Sequence, residues 1–406
     1  MRRWIVVLLG VAIACGSEAA STTSAPPAPS VDAGFDAPPG DDGAPDAAED
    51  AGADADAASP CPAGATLVAD DTACAGAPPS VPAALASDLA GASAGDVVSM
   101  HGLDEGAAPC LPAYACTPED APSMMFSDSP ESPSSDGVLY ADTPPAGRHR
   151  IYVYHANGGA ALRKFPVVVL NANATDATVT IVRRGVGTPS QSYVAIGKDV
   201  LAQWLAPMAP IAVTVPAGQR VLLDATLDAK HAAQDELVHA IFDVETSAPV
   251  KISIVSVLAG ADAAATTAGL SLLPADGLHV RGTFGGADRL FVAAGAATSG
   301  VQHVRLGDGV LDPDLAGIDA TTSTPVKLGG NYGVLYRFSG MPSSRAALSE
   351  RGGSWGGVLG SVELPSASES LGTTTDAVVL GDLSGGGSLV SGGGSNLPVD
   401  VFFATP

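Results

Sequence analysis

The chain reads as an all-β protein: one or two antiparallel β-sandwich domains behind a disordered N-terminal tether. Three observations predict this. From Arg148 onward, short runs of β-branched and apolar residues recur, several alternating with period two and bounded by Gly, Pro, Asn or Asp. Residues 16–60 are almost wholly Ala, Asp, Pro, Gly, Ser and Thr, with hardly anything to bury in a core. Between them, residues 61–147 carry four cysteines, many prolines and little periodicity, which predicts a loop-rich segment stapled by disulfides where the core is thin.

Residues 1–14 have the make-up of an export signal. Met1-Arg2-Arg3 is basic, Trp4 to Ile13 is an apolar run too short to span a bilayer, and Ala12-Ile13-Ala14-Cys15 closes it. Small residues directly before Cys15 resemble the bacterial lipobox, although Ala12 stands where Leu is usual; Ala12-Ile13-Ala14 also satisfies the small-x-small rule of ordinary secretion. Cysteine arithmetic favours the lipobox. Of five cysteines, Cys15 is the odd one, and lipidation of its thiol leaves an even set in an oxidising compartment. The expectation is a chain lipid-anchored at the cell envelope, at the outer membrane or cell surface. Its first partner is then the membrane, reached through the N-terminal lipid with no spanning helix.

Charge is unevenly placed. The formal net charge is -24, yet no Lys or Arg lies between Trp4 and Gly147, and 22 of the 43 acidic residues fall in residues 16–147. From Arg148 onward, 21 acidic residues face 17 basic ones. A negative front repels nucleic acid and anionic lipid, so no nucleic-acid partner is expected. The 15–60 stretch, lipidated Cys15 followed by the acidic linker, is read as a tether with a reach of roughly 35–40 Å, extended further by charge repulsion and proline. Cation binding by its Asp tracts is the alternative.

In residues 61–147, Cys61, Cys74, Cys110 and Cys116 are expected to form two disulfides. Cys61/Cys74 with Cys110/Cys116 is the simplest pairing by proximity, but four cysteines allow three connectivities and spacing does not choose. Zinc is disfavoured, because no CxxC pair occurs and His101 is the one nearby histidine.

Residues 148–262 predict a sandwich of seven strands, at 148–156, 165–172, 176–184, 211–215, 219–225, 236–244 and 250–258. The run 197–207, with Val200, Leu201, Trp204 and Leu205 at helical spacing, predicts a short helix stopped by Pro207. A stretch rich in Ala, Gly and Thr up to Pro274 reads as a connection. Residues 275–406 then predict a second sandwich or a continuation of the first, with strands at 278–284, 289–293, 301–306, 331–338, 355–364, 377–380 and 397–403.

Several of these runs carry a resemblance. His279-Val280-Arg281-Gly282-Thr283-Phe284, Ala287-Asp288-Arg289, Gly307-Asp308-Gly309, Gly330-Asn331-Tyr332-Gly333-Val334-Leu335-Tyr336 and Gly394-Ser395-Asn396-Leu397-Pro398-Val399 stand in this order. They resemble an uncharacterised secreted β-rich region that occurs in Gram-positive bacteria beside copper amine oxidase N-terminal-like stalk domains. The resemblance spans roughly Arg148 to Pro406, the stalk domain has no counterpart here, and it implies an extracytoplasmic β-sandwich with no activity or site attached. Copper chemistry does not follow from it. Leu328-Gly329-Gly330-Asn331-Tyr332-Gly333 lacks both the Thr and the acid of the quinone-forming motif, and no His-x-His is present.

Candidate chemistry is sparse. Gly352-Gly353-Ser354-Trp355-Gly356 matches the GxSxG elbow in letters, but a Gly-rich strand follows where a helix is required, and no His follows His303. His279-Val280-Arg281 and His303-Val304-Arg305 are an echo: on adjacent strands, His279, Arg281, His303 and Arg305 would gather into an anion site, unless the arginines pair with Asp276, Asp288 or Asp308. Asp308, Asp312, Asp314 and Asp319 crowd one loop, which makes calcium a possible cofactor, though the spacing is not that of an EF-hand and Asp-Gly and Asp-Pro are common turn formers. Tyr152 with Tyr154, Tyr332 with Tyr336, and Trp355 among glycines are candidates for a glycan platform. Asp243 and Glu245 share a strand face and are the carboxylate pair a hydrolase would need.

The function expected is therefore non-enzymatic: surface binding of a glycan or protein ligand, or envelope structure. A hydrolase acting on a surface or extracellular glycan is the alternative. A pocket with two carboxyls and raised acidities would favour the hydrolase, and a flat face of exposed aromatics the binder.

Overall fold

Strands form where the alternation from Arg148 predicts them, and also where nothing predicted them. The computed structural model describes residues 61, 65–67, 74, 76–295, 299–366 and 370–405. The signal 1–14, Cys15 and the 15–60 linker lie outside the described residues. No helix among the described residues is long and apolar enough to cross a membrane.

A central sheet of eight strands organises the body: β1 (Ser123–Ser127), β2 (Gly147–Ala156), β3 (Ala177–Val186), β4 (Ile211–Val215), β5 (Leu237–Thr246), β6 (Arg281–Phe284), β7 (Leu315–Asp319) and β8 (Thr324–Leu328). Their order is β4-β3-β5-β2-β1-β6-β7-β8. β1 and β2 run parallel, and the other neighbours are antiparallel. A parallel pair cannot be closed by a hairpin. The chain between β1 and β2 instead visits a second sheet as its edge strand Gly137–Asp142, beside Lys251–Leu258, Val167–Leu170 and Arg220–Leu222.

Both faces of the central sheet are covered, so β2 and β5 are buried along nearly their whole lengths, their polar residues included. Met125, Ile151, Val153, Ala240 and Phe242 point to the second sheet and meet Leu139, Val167, Val169, Ile252 and Ile254. Their neighbours Met124, Phe126, Tyr152, Tyr154 and Ile241 point the other way. On that side lie the helix α2 (Tyr193–Leu205) and a seven-stranded sheet that includes Asp288–Ala293 and Leu335–Ser339. A further five-stranded sheet, containing Gly300–Leu306, Val399–Thr405 and Arg345–Glu350, carries the helix α1 (Ala83–Gly91), whose Leu85 and Leu89 bury against Val301, Ala347 and Phe402.

Of the two readings of residues 275–406, the sheet order favours continuation: β6, β7 and β8 join β2 to β5 in one sheet, and the described residues from 61 onward belong to one unit. Other expectations change. Residues 61–147, expected to be loop-rich, supply β1 to the middle of that sheet and Gly137–Asp142 to the next. The disulfides are Cys61–Cys116 and Cys74–Cys110, not the proximity pairing. The reason is a short antiparallel ladder: Thr66 and Leu67 pair with Ala115 and Tyr114, so residues before 66 meet residues after 115, and the bridges nest. α2 begins one turn before its expected start and ends at Leu205, two residues short of the expected 207, because Pro207 forces Ala206 out of the helical region to ψ 143°.

Candidate functional site

The clearest concavity with converging chemistry opens where β1 ends. It is a pocket of about 220 Å³ lined by Phe126, Asp128, Glu131, Tyr152, Tyr154, Tyr193, His279, Tyr332, Gly393 and Gly394. Strand register builds its floor. Phe126 is paired with Tyr152 across the parallel β1–β2 ladder, and their rings stack 4.6 Å apart. Tyr154, two residues on, shares the face; its ring lies 6.2 Å from Tyr152 and nearly parallel, at 22°. Tyr193, the first residue of α2, stands almost perpendicular to Tyr154, at 88° and 6.1 Å. His239 of β5 props both rings from beneath, and burial lowers its pKa to about 4, so the imidazole there is neutral. Burial raises the pKa of all four tyrosines and keeps them as uncharged phenols. Only glycine admits the far wall: a Cβ on Gly393 would stand 2.3 Å from the Tyr154 ring and 2.9 Å from the Tyr152 hydroxyl.

The polar rim comes from the loop after β1 and the turn before β6. The amide of Asp128 donates to the Val280 carbonyl, and the cis Ser129–Pro130 bond follows. His155 anchors the loop from the other face of β2, donating Nδ1–H to the Pro130 carbonyl at 2.9 Å and accepting from Ser127 at 2.8 Å. Asp276 accepts from the Glu131, Leu278 and His279 amides and from His279 Nδ1 at 2.8 Å. Burial works to raise its pKa, but these donors override it and hold the carboxyl well below the usual range. His279 is thereby fixed between Asp276 and Glu131, with Nε2 at 3.3 Å from Glu131 Oε2. Asp128 differs. Its covered Oδ1 has no hydrogen-bond partner, and burial, with the like charges of Glu131 and Asp276, pushes its pKa up to about 9. At neutral pH it is a carboxylic acid facing a cavity.

The sequence candidates scatter. Tyr152, Tyr154 and Tyr332 meet in the pocket, whereas Tyr336 is buried with its hydroxyl given to Asp312, and Trp355 is buried with Nε1 donating to Ser391. The His-x-Arg echo does not assemble: His279 and Arg281 belong to the central sheet's edge of this pocket, and His303 and Arg305 to a different sheet. Arg281 pairs with Asp319 and bonds the Leu139 and Leu273 carbonyls, and Arg305 forks onto Asp400. His303 is buried, within 4.0 Å of Asp400. Each guanidinium is thus already satisfied, and no anion site forms from the four.

The aspartates also part. Asp308 accepts from the Val310 and Asp312 amides, Asp312 from Gly307, Asn331 and Tyr336, Asp314 from the Gly330 amide, and Asp319 from Arg281 and Thr321. Among the described residues no group of three or more His, Cys, Asp or Glu could hold a metal ion, so the calcium reading loses its ligand set. Asp243 is held by buried Arg150, while Glu245 lies exposed near Arg148, and the two do not form a catalytic pair. Ser354 precedes a bridge from Trp355 to Leu371 and then the strand Gly357–Leu359, which is not an elbow.

Sequence reasoning missed Asp128, Glu131, Phe126 and Tyr193. A signal existed for the first three: Met124-Met125-Phe126 running into Ser127-Asp128-Ser129-Pro130-Glu131 is a strand end with an acidic turn. No protein-family model matches this chain, and no curated protein matches it.

Proposed function

We propose that this chain is an exported envelope protein, lipid-anchored at Cys15, whose β body binds a small organic group in the tyrosine-lined pocket and does not transform it. The observation that carries the reading is the pocket itself: five aromatic rings, perpendicular in part, enclosing about 220 Å³ beside an unpartnered acid. Concave aromatic walls with few polar groups are what a small-ligand site requires. The acidic linker serves as the leash between the anchor and this body.

One observation favours a second reading. An acid that keeps its proton at neutral pH beside a second carboxyl is the equipment of a glycoside hydrolase. Asp128 would then give its proton to the departing glycosidic oxygen while water adds to the anomeric carbon and loses its proton to Glu131. Against this, Glu131 already faces His279 at 3.3 Å.

Mass spectrometry of the mature protein tests the anchor, a diacylated or triacylated Cys15 being expected. Ligand-observed NMR with the full mature chain, against a panel of saccharides, amines and aromatic acids, tests the pocket. Binding that Tyr154→Ala abolishes, without turnover of chromogenic glycosides, supports the binder; turnover lost in Asp128→Asn replaces it with the hydrolase.

A further inference from the structure

Resting on the binding reading, we propose that the group the pocket takes is an organic ammonium, seated against the faces of Tyr152, Tyr154, Tyr193 and Tyr332 with Asp128 as its counter-ion. The lining rings stand at two orientations, Tyr193 almost perpendicular to Tyr154, so a compact cation meets more than one π-system. No Lys or Arg lines the cavity. The closest guanidinium partner of the loop, Arg281, reaches the Ser129 carbonyl and is neutralised by Asp319. The rim therefore carries acids, Asp128, Glu131 and Asp276, against one histidine.

A polyol fits the same walls less well. Sugars need donors and acceptors in pairs, and part of the polar set here is already engaged: Tyr332 donates to the Ser395 carbonyl, while Glu131 and Asp276 bracket His279. Among the lining residues, the covered atom with no partner is Asp128 Oδ1. An ammonium supplies what that oxygen lacks. Size agrees, because about 220 Å³ lies below the roughly 300–1,000 Å³ of sites for drug-sized molecules and suits a head group.

Binding should be linked to a proton. The groups facing Asp128 are Glu131 on its own loop, Asp276 and His279 from the turn before β6, Tyr152 and Tyr154 from β2, Tyr193 from α2 and Tyr332 from the loop before Leu335–Ser339. In the empty site Asp128 holds its proton up to about pH 9. A cation at van der Waals distance favours the carboxylate, so binding below that pH expels up to one proton, and affinity strengthens with pH by at most about tenfold per unit.

Isothermal titration of the full mature chain with choline and with its uncharged isostere 3,3-dimethylbutan-1-ol, at matched ionic strength, tests this. Choline is expected to bind at least about tenfold more tightly than the isostere, more tightly at pH 8.5 than at pH 6, and with proton release that Asp128→Asn removes. Phosphocholine is expected to bind more weakly than choline, since its phosphate meets three acids. Tyr193→Ala, which removes a half-buried ring without opening the core, is expected to weaken choline roughly three- to thirtyfold. Equal affinity for the isostere, tighter binding of phosphocholine, or an unchanged Asp128→Asn titration overturns the ammonium assignment. If a saccharide or the isostere then binds in a Tyr193-dependent way, the pocket survives as a binding site; if no probe responds to Tyr193→Ala, both readings fall.

Discussion

Asp128 trades stability for a poised carboxyl. Its pKa rises from 3.8 in an open chain to about 9 in the fold, so the folded state holds a proton that the unfolded state has released. Below about pH 4 both states are protonated and the group costs nothing; as pH rises toward 9 the unfolded state is increasingly favoured. Asp128→Asn keeps the shape and removes the titration. Its melting temperature is expected to exceed the parent's at pH 8 and to match it at pH 4, and equal melting at both pH values would show that the acid is not held protonated. Arg150 is the opposite case, a buried charge fully answered: Nε lies 2.8 Å from Asp243, Nη2 lies 2.9 Å from Asp288, Nη1 bonds the Ala287 and Gly333 carbonyls, and Trp204 covers the guanidinium at 4.4 Å. Arg150→Met leaves buried Asp243 with only Arg183 at 3.8 Å and buried Asp288 with only Arg337, and should cost about 3–5 kcal/mol in urea unfolding. Replacing Asp243 by Leu in the same chain should recover part of that loss.

At the scale of elements, the pocket depends on how closely α2 approaches the sheet. Ile196, Val200, Leu201 and Trp204 form its buried stripe, and Gly185 of β3 lets the helix settle. A Cβ at Gly185 would lie 1.9 Å from the Val200 carbonyl oxygen, a backbone atom that cannot turn away. Gly185→Ala should therefore lift α2, cost about 1–3 kcal/mol, and displace Tyr193 from the pocket, read as lost thermal stability together with lost ligand signal. Gly393→Ala acts more locally. Its methyl would enter the Tyr154 ring, so the fold should persist by circular dichroism while binding disappears. α2 was legible because its apolar spacing has the helical period and Pro207 marks its end. The strands of the first set were legible for the same kind of reason, with turn residues at both ends. β1 was not, since five residues of Ser-Met-Met-Phe-Ser amid cysteines and prolines carry too little periodicity to declare a strand, and β7 and β8 were hidden by Asp, Gly and Pro that read as turns.

For the whole molecule, the nested bridges Cys61–Cys116 and Cys74–Cys110 tie the entry segment onto the seven-stranded sheet. The outer bridge closes 55 residues, which in the chain-entropy view corresponds to about 4 kcal/mol, with less from the bridge nested inside it. Reduction should lower the melting temperature by several degrees, and peptide mapping of the unreduced protein should recover 61 with 116 and 74 with 110. Finding 61 joined to 74 would contradict the ladder that nests them.

What the sequence by itself determined is the class of the protein: β-rich from Arg148 on, with an acidic stretch poor in core residues and an even set of four cysteines in the body. These are composition and short periods, and both are local properties that survive without knowledge of neighbours. What only the tertiary structure decided is adjacency. His279-x-Arg and His303-x-Arg look alike in the chain and lie in different sheets, whereas Phe126, Tyr152, Tyr193 and Tyr332, separated by up to 206 residues, line one cavity. The physical reason is that each strand's partners are chosen by burial of its two faces across the whole fold. Residue spacing along the chain records which face a side chain takes, and carries no record of what that face will meet.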